Sequence, residues 1–143
     1  VIHQAGKATI QIAREKYSEA GVAADIREFI ADMKQVYQWA DIVICRAGAM
    51  TISELAIMGL PSILVPLPHA IDDHQTKNAA YLADAEAAVL MPQATLTSQN
   101  LSETLKALLT NENQLSDMRK KARSLAKPEA TELVANACLE VAL

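Results

Sequence analysis

Cysteine and positive charge are both scarce in this sequence of 143 residues. The two cysteines, Cys45 and Cys138, lie too far apart for a metal-ligand motif and form no disulfide framework, which favours a reducing compartment. Only 13 Lys and Arg face 17 Asp and Glu, giving a net charge of −4. A nucleic-acid partner needs a clustered basic surface, whereas the short basic run at 119–123 is typical of a solvated helix face. We therefore predict no nucleic-acid partner.

Targeting and membrane-spanning signals are also missing. The first residues have neither the basic start nor the apolar stretch of a secretory signal. Residues 55–71 carry no formal charge, but Gly59, Pro61, Pro66 and Pro68 would interrupt a spanning helix. The chain starts without Met and on a strand-like stretch, so we expect it to be part of a longer protein.

What the sequence does contain is an alternation of strand-like and helix-like segments. The predicted strands cover residues 1–3, 22–30, 42–45, 63–65 and 87–91, and the predicted helices cover 8–20, a short segment capped by Asp32, 50–58, 73–84, 98–110, 114–126 and 128–141. The apolar run 42–45 predicts a strand buried on both faces. The expected fold class is α/β, a Rossmann-like doubly wound parallel sheet with extra C-terminal helices.

Residues 45–54 predict a strand, a turn at Gly48 and a helix, at the sheet edge where such folds bind ligands. Gly48 can adopt backbone angles that other residues avoid, and it admits a ligand close to the main chain. The amides of residues 49–51 would be unpaired donors at a helix N-terminus, which favours a phosphate, and the Thr51 hydroxyl could join them. Glu54, one turn further on, could accept hydrogen bonds from a ribose diol.

The same residues have a purely structural interpretation. Thr51 and Glu54 are spaced as in a capping box, in which both side chains satisfy backbone donors of the helix. The residue pattern alone leaves phosphate binding and capping open.

A second polar segment, residues 69–78, follows the predicted strand at 63–65. Its His74, Gln75 and Asn78 are of types that read sugar hydroxyls, because each offers donors or acceptors. His69 is either a general base or a structural loop histidine.

The acidic residues of this segment, Asp72 and Asp73, can cap the following helix. Together with His74 they could also form a metal site, although adjacent positions on one turn rarely converge on one ion. No Ser–His–Asp order, P-loop or GxGxxG motif occurs in the sequence.

Residues 39–54, 59–61 and 72–79 closely resemble the MurG family of bacterial glycosyltransferases, and residues 3–7, 28–33 and 128–131 are also similar to it. The resemblance extends over nearly the whole chain. It implies a GT-B enzyme that transfers N-acetylglucosamine from UDP-N-acetylglucosamine to lipid I, forming lipid II for peptidoglycan. Residues 1–143 would be the C-terminal, donor-binding domain, without its first strand and Gly-rich loop. The N-terminal acceptor domain would carry the catalytic base and the membrane-facing patch.

The resemblance also implies a role for individual residues. The UDP-N-acetylglucosamine site would comprise Ile30 at the uracil, Gly48, Ala49, Met50 and Thr51 at the diphosphate, Glu54 at the ribose, and His74 and Gln75 at the sugar, with Phe29, Arg46 and Asn78 in support. The family uses neither a cofactor nor an active-site metal for this inverting transfer. It implies a peripheral enzyme on the cytoplasmic face of the inner membrane, with a part in cell shape and division.

The chain departs from the family pattern at two positions. Ala47 stands where many members have Ser, and His74 stands where some have Gln. This chain alone is expected not to catalyse transfer. The alternatives are the donor domain of another GT-B glycolipid transferase, a non-catalytic nucleotide-sugar-binding subunit that needs a partner chain, and an α/β domain without a ligand.

Overall fold

The computed structural model describes residues 1–68 and 71–141. The chain divides into two compact units, Val1–Trp39 and Ala40–Leu143. His69, which the sequence offered as a general base, lies outside the described residues.

The first unit alternates two short strands with two helices. Its elements are β1 (Ile2–Gln4), α1 (Ile10–Glu19), β2 (Asp25–Arg27) and α2 (Met33–Trp39). The strands pair in parallel, with Ile2 opposite Asp25 and Gln4 opposite Arg27. The prediction that Asp32 caps α2 is confirmed, because its carboxylate accepts the amide of Gln35 at 2.9 Å.

The second unit begins with three parallel strands and continues as helices alone. Its elements are β3 (Val43–Cys45), α3 (Ala49–Met58), β4 (Ser62–Leu64), α4 (His74–Ala83), β5 (Ala88–Leu90), α5 (Ser98–Leu109), α6 (Glu112–Ser124) and α7 (Ala130–Val141). The strand order is β3-β4-β5, with Cys45 opposite Leu64 and Leu64 opposite Leu90. The parallel pairing and the flanking helices confirm the α/β prediction.

The central strand β4 anchors the core of the second unit. All three of its residues are buried, and Ile63 packs in one cluster with side chains of α5 and α6, namely Leu108, Leu115 and Met118. On α3, the buried side chains are Ile52, Leu55 and Ala56. Full burial of a Leu or Ile side chain stabilises a fold by roughly 1.5–3 kcal/mol, so this core fixes the position of β4.

The expectation that β3 is buried on both faces is wrong. Ile44 in its middle is 46% exposed, and its neighbours Val43 and Cys45 are only half-buried. The physical reason is position, because β3 is an edge strand of the three-stranded sheet, whereas the fully buried β4 has a strand on each side.

Gly59 ends α3 in the left-handed conformation, with φ at 62°. A Cβ atom at this position would lie 3.2 Å from the backbone oxygen of Arg119. Glycine is therefore needed twice here, because it adopts the left-handed turn at little cost and lets α3 and α6 approach closely.

The basic run on α6 is largely neutralised by ion pairs. Lys121 pairs with Glu86, Arg119 pairs with Asp41 at 3.2 Å, and Lys120 pairs with Asp117 at 3.5 Å. These contacts agree with the prediction of a solvated helix face.

The last helix, α7, exposes a row of apolar side chains. Leu133, Val134 and Leu139 are each more than 60% exposed. Even so, none of the helices in the described ranges combines the length and the apolar composition that crossing a membrane requires.

Candidate functional site

The N-terminus of α3 is the centre of the candidate site. Gly48 is the N-cap residue, and its carbonyl accepts the first helical hydrogen bond from Ile52 at 3.0 Å. The first four amides of a helix, here residues 48–51, find no acceptor within the helix itself. Gly48 itself has no side chain that could cap this end. The helix therefore presents backbone donors just beyond the carboxyl end of β3, which suits an anionic group.

Gly48 does not need an unusual backbone conformation, contrary to the expectation from the sequence. Its angles, φ −65° and ψ 147°, are accessible to any residue. A Cβ atom would meet only the Thr51 hydroxyl, at 3.6 Å, which is an ordinary contact. The absence of a side chain here therefore leaves space above the helix end, as expected for a glycine that admits a ligand close to the main chain.

The capping-box interpretation of Thr51 and Glu54 is wrong. The helix begins at Ala49, so Thr51 is already its third residue and is not the N-cap. Glu54 lies a turn further along on the exposed side of α3. Both side chains remain candidates for ligand contact, as do the exposed Ala49 and Met50 in the first turn.

Arg46 ties the end of β3 to the exit of β4. Its Nη1 donates to the carbonyls of Val65 at 3.2 Å and Pro66 at 3.1 Å. Through these contacts Arg46 supports the geometry of the turn that follows β3.

Gln75 on α4 is held by the same β4 exit. Its Oε1 accepts the amide N–H of Leu67 at 2.9 Å. An amide side chain that accepts through oxygen presents its NH2 group elsewhere, so Gln75 has two N–H donors for a ligand. That orientation fits a sugar hydroxyl oxygen.

Asn78, one turn later on α4, reaches back to the turn that precedes α3. Its Nδ2 donates to the carbonyl of Ala47 at 3.0 Å, and Ala47 is fully buried. The side chain predicted to contact a sugar therefore connects α4 to the residue immediately before Gly48.

The start of α4 differs from the expectation that an Asp side chain caps it. Asp73 is the N-cap residue but makes no side-chain capping bond. An N-cap normally has extended backbone, whereas Asp73 and Asp72 have φ values of 53° and 54°. His74 is the exposed first residue of the helix. Within residues 1–68 and 71–141, no group of three or more His, Cys, Asp or Glu side chains could hold a metal ion.

In the first unit, Ile30 and Phe29 occupy the segment after β2. Ile30 is 5% exposed and Phe29 is 73% exposed. The amide N–H of Ile30 donates to Oε1 of Gln4, at the end of β1, at 2.8 Å. Sequence reasoning missed Gln4 as a support of this segment. The available signal was its place at the carboxyl end of a strand parallel to β2.

Burial raises the pKa of the Cys45 thiol from its ordinary value of 9.0 to about 11. The thiol is therefore neutral at physiological pH. The residue that ends β3 adds no negative charge beside the turn, which would otherwise weaken its attraction for an anion.

Comparisons with known proteins show the family of this chain. The glycosyltransferase family 28 C-terminal domain matches residues 1–134. A Pseudomonas putida KT2440 protein is 60% identical over 142 residues, and one from Pseudomonas savastanoi pv. phaseolicola is 55% identical; each match covers 99% of this chain. Both carry the name UDP-N-acetylglucosamine--N-acetylmuramyl-(pentapeptide) pyrophosphoryl-undecaprenol N-acetylglucosamine transferase. This chain spans only 40% of their length.

Solved structures show the same fold. The crystal structure of Acinetobacter baumannii MurG superposes with a TM-score of 0.91 and 39% identity, covering 97% of this chain and 42% of that one. The glycotransferase of kitacinnamycin, at 22% identity and a TM-score of 0.59, shares the fold over 79% of this chain. The domain match extends over nearly all of the described residues, and the α3 turn lies inside it. The chain belongs to the glycosyltransferase family 28 C-terminal domain family.

Proposed function

We propose that this chain is the donor-binding part of a transferase that moves N-acetylglucosamine from UDP-N-acetylglucosamine to lipid I, forming lipid II. The names of the 55–60% identical relatives support both the donor and the acceptor. The observation that carries the proposal is the N-terminus of α3, whose N-cap residue, Gly48, has no side chain with which to cap the first backbone amides.

The proposed site assigns each part of the donor to a different element. The amides of residues 48–51 and the Thr51 hydroxyl bind the diphosphate, and Glu54 accepts hydrogen bonds from the ribose hydroxyls. Gln75 donates its NH2 group to a sugar hydroxyl, with His74 beside it at the start of α4. In the first unit, Ile30 contacts the uracil.

The mechanism requires the diphosphate to leave as the acceptor hydroxyl attacks the anomeric carbon with inversion. Negative charge then grows on the UDP phosphates. Backbone amides that are already oriented stabilise that charge without reorganisation, which is usually a large part of catalysis. In this chain the donors belong to a helix anchored by a buried face, Ile52, Leu55 and Ala56, so their direction is fixed before the ligand arrives.

The remaining functions belong to the other part of the longer protein. This chain spans 40% of its relatives, and we assign the acceptor site, the catalytic base and the membrane contact to the rest. The complete enzyme is then a peripheral protein on the cytoplasmic face of the inner membrane. Its product serves peptidoglycan synthesis and thereby cell shape and division.

Calorimetric titration tests the proposal. The full-length gene product is titrated with UDP-N-acetylglucosamine, UDP, ADP and GDP. Saturable binding of both uridine nucleotides, with weaker ADP and GDP binding, is expected. Equal binding of all four nucleotides, or of none, would refute the donor assignment. The same titration on residues 1–143 then measures how much of the site this chain contains.

Glu54→Ala provides the residue-level prediction. Losing a charged acceptor of a ribose hydroxyl should weaken UDP binding by about 1.5–3 kcal/mol. The matched control is Glu103→Ala, because Glu103 is an exposed glutamate on α5 that accepts from Gln99 of its own helix. Unchanged affinity for UDP in Glu54→Ala would remove the ribose contact from the proposal.

A further inference from the structure

We propose that Asn78 is a positioning residue that orients the diphosphate-binding turn and does not read the sugar. The proposal rests on the donor site described above and deepens it. Its starting point is the 3.0 Å hydrogen bond from Asn78 Nδ2 to the carbonyl of Ala47.

The bond fixes the peptide plane that opens the turn. The carbonyl of Ala47 and the N–H of Gly48 belong to one planar, trans peptide unit, so the two groups point in opposite directions. Holding the carbonyl toward α4 therefore directs the Gly48 N–H away from α4. Gly48 is the N-cap, and its amide is the first of the donors at this helix end.

Burial makes this contact important. Ala47 is fully buried, so its carbonyl has little access to water as a substitute partner. A buried carbonyl that loses its donor must stay unsatisfied or rotate toward another one. Rotation would turn the Gly48 N–H with it, because the peptide is planar.

Two further contacts connect the same segments. Arg46 donates to the Val65 and Pro66 carbonyls at the β4 exit, and Gln75 accepts from Leu67 just after it. Together with the covalent chain, these hydrogen bonds link the turn, the β4 exit and α4 into a closed ring. Gln75 and Asn78 are three residues apart, which places them on one face of α4. Asn78 supplies the link that returns directly to the turn.

The proposal has a distinctive consequence for affinity. A residue that reads the sugar affects binding of UDP-N-acetylglucosamine but leaves UDP binding unchanged. Removing a residue that orients the diphosphate turn weakens the binding of both ligands by the same factor. For Asn78→Ala we expect about tenfold weaker binding of each, because several phosphate contacts share the displaced turn.

The experiment measures dissociation constants of UDP and UDP-N-acetylglucosamine for the full-length wild type, Asn78→Ala and Asn100→Ala. Asn100 is the matched control, because its amide donates to the Thr95 carbonyl at 2.7 Å near the N-terminus of α5. A thermal melt confirms that each variant is folded at the assay temperature. If Asn78→Ala is not folded, Asn78→Ser takes its place, since it is also too short to keep the 3.0 Å contact.

Equal weakening of both ligands in the Asn78 variant, with Asn100→Ala unchanged, supports the proposal. Weakening of UDP-N-acetylglucosamine alone overturns it and assigns Asn78 to the sugar. Unchanged affinity for both ligands also overturns it. A wild type that binds neither nucleotide refutes the proposed donor site itself, which keeps the two failures distinguishable.

Discussion

The N-termini of α3 and α5 carry similar sequence signals but are built in opposite ways. At α5, the Thr97 hydroxyl accepts the Asn100 amide at 3.1 Å, and the Asn100 side chain accepts the Thr97 amide at 2.9 Å. At α3, Thr51 and Glu54 have the same spacing, but the N-cap residue is Gly48, which has no side chain to act as a cap. The N-cap side chain therefore satisfies a backbone donor at α5 and cannot do so at α3.

The difference arises from where each threonine stands. Thr97 is the N-cap with extended angles, φ −128° and ψ 160°, which direct its hydroxyl to the third residue of the helix. Thr51 lies two residues inside a helix whose N-cap is Gly48. A glycine has no side chain to offer as a cap, so the donors of α3 have no partner from their own N-cap residue. The capped end contributes stability, and we propose that the uncapped end contributes ligand binding.

Gly48→Asp tests this contrast most severely, because it would convert the α3 end into a capped one. The open Cβ position and the extended backbone both suit an N-cap aspartate. Its carboxylate would occupy the amides and repel the diphosphate. We expect UDP affinity to fall about 100-fold or more, with the melting temperature unchanged or higher.

Gly48→Asn separates the two causes, because asparagine caps equally well but carries no charge. Its UDP affinity should lie between those of the wild type and Gly48→Asp. Wild-type affinity in Gly48→Asp would mean that the diphosphate does not bind at this helix end.

The capped and uncapped ends also show how far sequence reasoning reaches. Element order, the parallel pairing and the start of α3 followed from the alternation of apolar runs and from Gly48 and Gly59. These signals are local, since helix periodicity and turn residues act over a few positions. The pattern could not decide between capping and binding at Thr51, because Thr51 is the N-cap only if the helix starts three residues later than it does.

Contacts between residues far apart along the chain could not be predicted from the sequence. Asn78 and its partner Ala47 are 31 residues apart, and the sequence predicted a sugar contact for the asparagine instead. Likewise, an apolar run such as 42–45 does not reveal whether its strand lies at an edge, and Ile44 is accordingly more exposed than expected. Both outcomes depend on which segments become neighbours, and that follows from the packing of the whole unit.

Gly59→Ala tests the other end of α3, where the structure serves stability. Alanine would be held at φ 62° with its Cβ 3.2 Å from the Arg119 oxygen. We expect the free energy of unfolding to fall by about 2 kcal/mol, measured by urea denaturation. Gly21→Ala is the matched control, because Gly21 has φ 64° but no atom within 4 Å of a Cβ. An equal decrease of the unfolding free energy in both variants would show that the close contact with Arg119 of α6 adds nothing to the effect of the left-handed backbone.

Thr97→Ala removes the side-chain cap of α5, a cap of the kind that the N-cap residue of α3 does not provide. It should lower the free energy of unfolding by about 1 kcal/mol, because the α5 amide at Asn100 loses its acceptor. UDP affinity of the folded protein should not change. The measurement is a urea melt together with a UDP titration, and Thr51→Ala is the counterpart, expected to reduce affinity more than stability. If Thr97→Ala impaired UDP binding instead, the division between stabilising and binding helix ends would fail.

Glu86→Gln has the smallest expected effect. Glu86 lies just after the C-terminal end of α4, and its carboxylate pairs with Lys121. The hydrogen bond from Lys121 lowers the pKa of the exposed Glu86 carboxyl below its ordinary value of 4.5. The pair therefore contributes stability above that pH, and the contribution disappears as the pH falls through the lower pKa of the folded state. In the variant, the free energy of unfolding should decrease less steeply as the pH falls into the acid range. Salt at 1 M should reduce the difference from the wild type.

UDP affinity at pH 7.5 should be unchanged, because this end of α4 lies more than two helical turns along the chain from Gln75. A reduced affinity would instead show that the α6 contact helps to place the start of α4.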